Sequence, residues 1–211
     1  MHTDFRGLYL VTPDWDDTDR LLAASDAALA AGAALLQYRH KEASPALRRE
    51  QAGALLALCR RHGVPFIVND HVDLCLALDA DGVHVGGLDA GVAAARAALG
   101  RDKIVGASCY GDVARAIDAQ AAGASYVAFG GFYPSRVKKY AVTTQPDIVA
   151  QARAAGVTVP AVVIGGMTPA NAAVLVAAGA DMVAAISSVY GVEPAGVSSA
   201  VQAFTALFSR R

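Results

Sequence analysis

The feature that most constrains this chain is a run of eight short, β-rich apolar segments. They are GLYLVT (7–12), ALLQYR (34–39), PFIVND (65–70), GVHVG (82–86), KIVGAS (103–108), YVAFGG (126–131), AVVIGG (161–166) and DMVAAIS (181–187). None alternates strictly between apolar and polar residues, which is the pattern of parallel strands buried on both faces. Most stretches between them are rich in Ala and Leu at helical spacing, such as SPALRREQAGALLALCRRHG (44–63) and TPANAAVLVAAG (168–179). Several of these end in glycine just before the next strand: Gly32, Gly63, Gly123, Gly156 and Gly179. Glycine after a last helical turn takes the left-handed conformation that closes a helix. The unit A-G-A at 31–33, 122–124 and 178–180 marks these stops without a fixed period, so a solenoid is not indicated. Eight strands alternating with helices leave a barrel or a doubly wound sheet. No G-x-G-x-x-G follows the first strand, where GLYLVTPDW stands. The predicted fold is therefore α/β, a (β/α)8 TIM barrel, with residues 1–211 as a single catalytic domain.

The charge balance narrows the function. Lys and Arg total 18, Asp and Glu 19, for a net charge of −1. Nucleic-acid and membrane-surface binders usually carry a basic excess, so neither partner is expected and any cationic site is local. The opening MHTDFRGLYLV lacks a secretory-signal pattern. The longest apolar run, Ala27–Leu36, is too short to span a bilayer. Cys59, Cys75 and Cys109 are odd in number and widely spaced, which reads as reduced thiols in a cytoplasmic protein. Cys109 reads as a small barrel-wall residue. A homo-oligomer is compatible with the sequence, which does not specify one.

In a barrel, chemistry sits where strands end and βα loops begin. Here every strand delivers a polar or glycine residue to that rim. QYRHK (37–41) is the sharpest case, because Arg39 and Lys41 directly follow an apolar run and a buried charge needs a partner. Arg39, Lys41 and Lys138, with Ser108, could surround a polyanion, Arg offering forked donors and Lys a point charge. The plainer reading is solvated loop charges. Asp70 and Asp89, at the third and fourth strand ends, suit Mg²⁺ with waters and phosphate oxygens. Taken singly, each could cap the following helix. IGGMTPAN (164–171) and AISSVYG (185–191) are Gly- or Ser-bearing turns leading toward helices, a usual phosphate site after strands seven and eight. A packing role for Gly165 and Gly166 is compatible with that. The rim thus has room for one diphosphate with Mg²⁺ and one monophosphate, which suggests transfer between two phosphorylated substrates. No Ser-His-Asp or Cys-His arrangement competes, and His84, inside GVHVG, reads as a packed wall residue.

Taken in order, QYRHK, VND (68–70), ADGVHVG…D (80–89), GAS (106–108), G-x-YPS-x-x-K (131–138), IGGMTPAN and ISSVYG (186–191) resemble the thiamine-phosphate synthase family. The resemblance spans about 150 residues and nearly every strand. It implies a Mg²⁺-using barrel that joins a hydroxymethylpyrimidine diphosphate to a thiazole phosphate, giving thiamine phosphate and diphosphate. By motif, Gln37, Tyr38, Arg39, His40, Lys41, Asn69, Ser108 and Lys138 would bind the pyrimidine diphosphate, with Arg39, Lys41, Ser108 and Lys138 as the catalytic set. Asp70 and Asp89 would hold the metal. Ser135, Arg136, Val137, Gly165, Gly166, Ile186 and Ser187 would bind the thiazole phosphate. The family chemistry implies that the pyrimidine C–O bond breaks first, leaving a methylene cation that the thiazole nitrogen captures. Two departures stand out. Gly87 occupies a position where the family often has Gln, and the family's T-x-T clasp is Ser135-Arg136-Val137, one hydroxyl fewer. The alternatives are a thiazole tautomerase-like isomerase, or a non-catalytic phosphate-ligand sensor, on the same barrel. TPDWDDTD (12–19) and FYPSRVKKYAVTT (132–144) read as loops polar or long enough to move.

Overall fold

In the computed structural model, eight parallel strands close into a barrel in chain order, β1 pairing with both β2 and β8. The structure describes residues 5–86, 89–134 and 144–209, the side chains of Asp89 and Ala90 excepted. The strands are β1 Gly7–Val11, β2 Leu35–Tyr38, β3 Phe66–Asn69, β4 Gly82–Val85, β5 Ile104–Tyr110, β6 Tyr126–Gly130, β7 Ala161–Ile164 and β8 Met182–Ala185. Each falls within, or within two residues of, its predicted segment. The helices that follow are α1 Thr18–Ala30, α2 Pro45–His62, α3 Val72–Leu78, α4 Asp89–Leu99, α5 Val113–Ala121, α6 Ile148–Ala154, α7 Pro169–Ala177, a short α8 Ser187–Tyr190 and α9 Val197–Thr205. Among the described residues no helix is long and apolar enough to cross a membrane.

Local chemistry explains the boundaries. The Asp17 carboxylate accepts the Arg20 N–H to open α1, and Ser44 caps α2 ahead of Pro45. Thr168 and Asn171 form a reciprocal capping box on α7. Gly63 ends α2 in the left-handed conformation, as its position predicts. Cys59, Cys75 and Cys109 are buried, and burial pushes the Cys59 thiol up to about 12 and the Cys75 thiol to about 11.

Because successive strand side chains point to opposite faces, the barrel has two cores. Leu8, Leu10, Leu36, Val83, Val127 and Val163 face the helices. Tyr9, Leu35, Ile67, Tyr126, Val162 and Met182 form a second cluster within the barrel. The interior is crowded enough to dictate glycine. A Cβ on Gly106 would lie 2.0 Å from Cζ of Tyr126, and one on Gly82 would lie 2.2 Å from the Ile104 carbonyl oxygen. The missing side chain of Gly106 is thus the space that the Tyr126 ring fills. Gly106→Ala is expected to destabilise the fold by about 1–3 kcal/mol in chemical denaturation, by overpacking against that ring. An unchanged midpoint would show that the ring has room to shift.

Candidate active site

The C-terminal mouth of the barrel holds a cavity of about 690 Å³, open entrance included. Gln37, Arg39, Lys41, Asn69 and Asp70 give it a polar wall at the ends of β2 and β3. Ala128, Val162, Ile164, Ala184 and Ile186 give it an apolar wall from β6 to β8. Tyr9, His84 and Ser108 lie between.

A chain of hydrogen bonds crosses the floor. Gln37 Nε2 donates to the Tyr9 hydroxyl at 2.6 Å, and the Tyr9 and Tyr126 hydroxyls lie 2.6 Å apart. The Tyr126 hydroxyl is 2.9 Å from His84 Nδ1, and His84 Nε2 is 2.8 Å from Ser108 Oγ. One proton order satisfies all five groups. Tyr9 accepts from Gln37 and donates to Tyr126; Tyr126 donates to Nδ1; Nε2–H donates to Ser108. The Ser108 hydroxyl hydrogen is then left for a group in the cavity. His84 is buried, as the sequence suggests, but faces inward and forms part of this floor. Its ring stacks at 21° on Tyr126. Burial raises the hydroxyl pKa of both Tyr9 and Tyr126 above the usual tyrosine value, the bonds of Tyr9 to Tyr126 and Gln37 only partly offsetting it. Both hydroxyls therefore stay protonated at neutral pH.

QYRHK divides by strand alternation. Gln37 and Arg39 turn into the barrel, whereas Tyr38 and His40 turn toward the helices. The Tyr38 hydroxyl donates to Gln51 of α2 at 3.0 Å, and His40 Nε2 lies 3.0 Å from Asp16 Oδ1. Burial also pushes Tyr38 up, to about 12. Arg39 is only 6% exposed, and its charge has a protein partner: the Asp14 carboxylate is 3.3 Å from Nη1 and also accepts the Lys41 N–H at 2.9 Å. Thr12 locks the same turn, its hydroxyl accepting from Arg39 N at 2.8 Å and donating to Arg39 O at 3.1 Å. At 3.3 Å the ion pair is long for a charge-assisted bond, so the guanidinium is only partly satisfied and can take a further anion. The segment 12–17 is therefore tied down. Trp15 adds an edge contact to Tyr190 at 5.8 Å, with the Arg20 guanidinium 3.8 Å over its ring.

Asp70 does not cap α3. The N-cap is His71, without a side-chain bond, and Asp70 Oδ2 accepts from Asn69 Nδ2 at 2.7 Å. Its backbone is left-handed (φ 63°), held by its N–H on the His84 carbonyl at 2.8 Å. Asp89 opens α4, and its side chain lies outside the described residues, as do Gly87, Ser135, Arg136, Val137 and Lys138. Gly165 and Gly166 have φ of 118° and 63° and are packed closely: a Cβ there would meet Gly131 N at 2.9 Å and Pro134 O at 2.5 Å. Only glycine allows the β6 and β7 loops to approach this closely. Ile186 lines the cavity, Ser187 is exposed at the start of α8, and the Ser188 hydroxyl donates to the Met167 carbonyl.

Sequence reasoning did not single out Asp14, Tyr9 or Tyr126. The signal was present for the tyrosines, since each occupies an inward position two residues from another inward residue. The partnership of Asp14 with Arg39 depends on a loop crossing β2 and has no local signature.

Comparison with known proteins agrees with this geometry. The family model described as thiamine monophosphate synthase matches residues 8–189. The thiamine-phosphate synthase of Janthinobacterium sp. (strain Marseille) is 62% identical over 211 residues, all of both chains. The chain belongs to the thiamine monophosphate synthase family. It is an enzyme of that family, a transferase of thiamine biosynthesis. The corresponding protein of Methylobacillus flagellatus is 50% identical over 97% of this chain and 96% of its own. Among solved structures, the thiamine phosphate pyrophosphorylase of Pyrococcus furiosus superposes with a TM-score of 0.81 at 30% identity, over 98% of this chain and 97% of its own.

Four of the seven tyrosines, Tyr9, Tyr38, Tyr126 and Tyr190, are raised by burial. Because the folded values lie above about 10 for an unfolded tyrosine, their contribution to stability is complete below pH ~10 and is lost as pH rises above it. In an alkaline titration, their tyrosinate absorbance is expected to appear above pH ~11, together with loss of the far-ultraviolet circular dichroism. Ionisation of all seven near pH 10 with the fold intact would contradict the buried chain.

Proposed function

We propose that the chain transfers a pyrimidine methylene group from its diphosphate to the nitrogen of a thiazole phosphate, giving thiamine phosphate and diphosphate. The observation that carries the reading is the division of one cavity. Arg39, Lys41 and Asp70 lie on one wall and an apolar surface on the other, over a hydrogen-bonding floor. A diphosphate fits the first wall, flat heteroaromatic rings fit the second, and Ser108 and Gln37 present polar atoms to the pyrimidine edge.

The residues present suit Mg²⁺. Asp70 is a hard carboxylate at the cavity, and α4 begins at Asp89 directly after the β4 loop. One or two carboxylates beside substrate phosphates are enough for this ion, so a dedicated cage is not required. When bound, Mg²⁺ would neutralise diphosphate charge and make it a better leaving group. Arg39 and Lys41 would bind the phosphate oxygens, with Lys138 as the family motif implies. The bond from the methylene carbon to the diphosphate oxygen breaks, the electron pair leaving with oxygen. The resulting cation is delocalised into the aminopyrimidine ring, and the thiazole nitrogen lone pair closes the new C–N bond. No net proton transfer is needed, which suits a floor whose tyrosines stay protonated. What the protein supplies is alignment of two reactants and stabilisation of a departing anion. Ser135, Arg136, Val137, Gly165, Gly166, Ile186 and Ser187 would hold the thiazole phosphate, with Tyr38 and His40 supporting the β2 loop from its outer side. Residues 1–211 would act as one catalytic domain in the cytoplasm, on two small-molecule substrates.

The test is to mix the purified protein with both substrates, with Mg²⁺ and with EDTA, and to follow thiamine phosphate and diphosphate together. Mg²⁺-dependent formation of both in equal amounts is expected, and absence of product with Mg²⁺ present would contradict the proposal. Asp70→Ala is expected to lower kcat/KM by about two orders of magnitude at fixed Mg²⁺ while keeping the wild-type circular dichroism. Wild-type turnover in that variant would remove Asp70 from the metal site.

A further inference from the structure

The buried face of α2 is apolar except at one residue. Ala52, Leu55, Leu56, Leu58 and Cys59 are buried there, and so is Gln51, which has no exposed surface. A leucine would fill that volume without polar groups to satisfy. The amide is instead used at both ends. Its Oε1 accepts from the Tyr38 hydroxyl at 3.0 Å, and its Nε2 donates to the Trp15 carbonyl at 2.9 Å and more weakly to that of Asp16 at 3.4 Å. A carbonyl can only accept, so the amide has one orientation.

The two main partners are the chain neighbours of an ion pair. Tyr38 precedes Arg39 at the end of β2, and Trp15 follows Asp14 in the loop after β1. On the cavity side, Arg39 meets Asp14 at 3.3 Å, a long pair that holds its two halves weakly. On the helix side, Tyr38, Gln51 and Trp15 tie the same two backbones together through one buried amide. The Thr18 hydroxyl also joins this region to α2, donating to Glu50 at 2.7 Å, but that bond is exposed to water and holds less. Gln51 is not among the residues that line the cavity.

We infer that Gln51 is a positioning residue for the diphosphate wall: by joining Tyr38 to Trp15, it sets where the Asp14 carboxylate holds Arg39 and the Lys41 N–H. This rests on the synthase reading for the identity of the anion. Gln51 acts on the substrate only through the loop and strand that it joins. It keeps the guanidinium and the Lys41 backbone in place before an anion arrives, so that binding does not have to order them. A core amide with no such role would make the same hydrogen bonds. Its loss would loosen the fold without distinguishing one ligand from another.

The test separates positioning from packing. Gln51→Leu keeps the volume and removes the amide. Calorimetric titration with inorganic diphosphate in Mg²⁺, and separately with thiamine phosphate, which carries no diphosphate, reads each part of the site without requiring turnover. A dissociation constant for diphosphate raised roughly fivefold, with that for thiamine phosphate within about twofold of wild type, is expected. In an Asp14→Asn background the same replacement should change the diphosphate constant by less than about twofold, because the residue through which Gln51 acts is already altered. Unchanged or tighter diphosphate binding, equal weakening of both ligands, or full additivity with Asp14→Asn would each overturn the inference. If Gln51→Leu does not fold, the double variant Tyr38→Phe/Gln51→Leu, which leaves no orphaned hydroxyl, takes the same readings. A chain that folds in neither form would overturn the inference too, because Gln51 would then be a core residue. A wild-type protein that binds diphosphate but neither binds nor forms thiamine phosphate would contradict the synthase proposal alone. One that binds no diphosphate would contradict both.

Discussion

The interaction on which the site depends is the row of hydrogen bonds across the barrel from Gln37 through Tyr9, Tyr126 and His84 to Ser108. Five polar side chains from five strands, four of them buried and Ser108 half-buried, stand at the one place where a barrel is usually filled with branched aliphatics. Each is satisfied only because its neighbour is in place, and an unpaired buried polar group is costly. The row also accounts for features that otherwise look unrelated. Gly106 has no side chain because Tyr126 occupies that volume, and the Tyr9 and Tyr126 rings meet edge-on at 5.7 Å to bring their hydroxyls together. With this floor fixed, Gln37 and Ser108 hold one orientation each.

Above the floor, a nearly neutral chain concentrates charge at one wall. Arg39 is buried against Asp14 and braced by Thr12, so a cation is held ready at the cavity before any anion arrives. The cost of burying the guanidinium is offset within the protein, and the long ion pair leaves it able to accept a stronger anionic partner. Lys41 is placed by the same carboxylate through its backbone N–H. Among the described residues its ammonium forms no ion pair, which suits a group that meets a diphosphate.

The barrel itself was legible. Strand positions, helix stops at glycine and the rim arrangement follow from local patterns, because they arise from backbone period and conformational preference. Family resemblance implied roles for Arg39, Lys41, Asp70 and Ser108 as a set. What could not be read were pairings made across the barrel. YVAFGG does not announce that its Tyr126 meets Tyr9 more than 100 residues earlier, and TPDW does not announce that Asp14 crosses β2 to reach Arg39. The grouping of QYRHK as one binding segment also hid its alternation, which puts Gln37 and Arg39 in the barrel-mouth cavity and Tyr38 and His40 in an adjoining one that shares Lys41, Asn69 and Asp70 with it.

The most direct test of the floor's role compares Tyr9→Phe, Tyr126→Phe and the double variant for both stability and kcat/KM. Each single variant leaves a buried partner unsatisfied, at about 1–3 kcal/mol, whereas removing both hydroxyls of the central pair offsets part of that loss. The expected result is that the double variant is less destabilised than the sum of the singles, while its turnover stays low because Gln37 and His84 have lost their anchors. Turnover that recovers along with stability would contradict the claim that this hydrogen-bonded row positions the substrate.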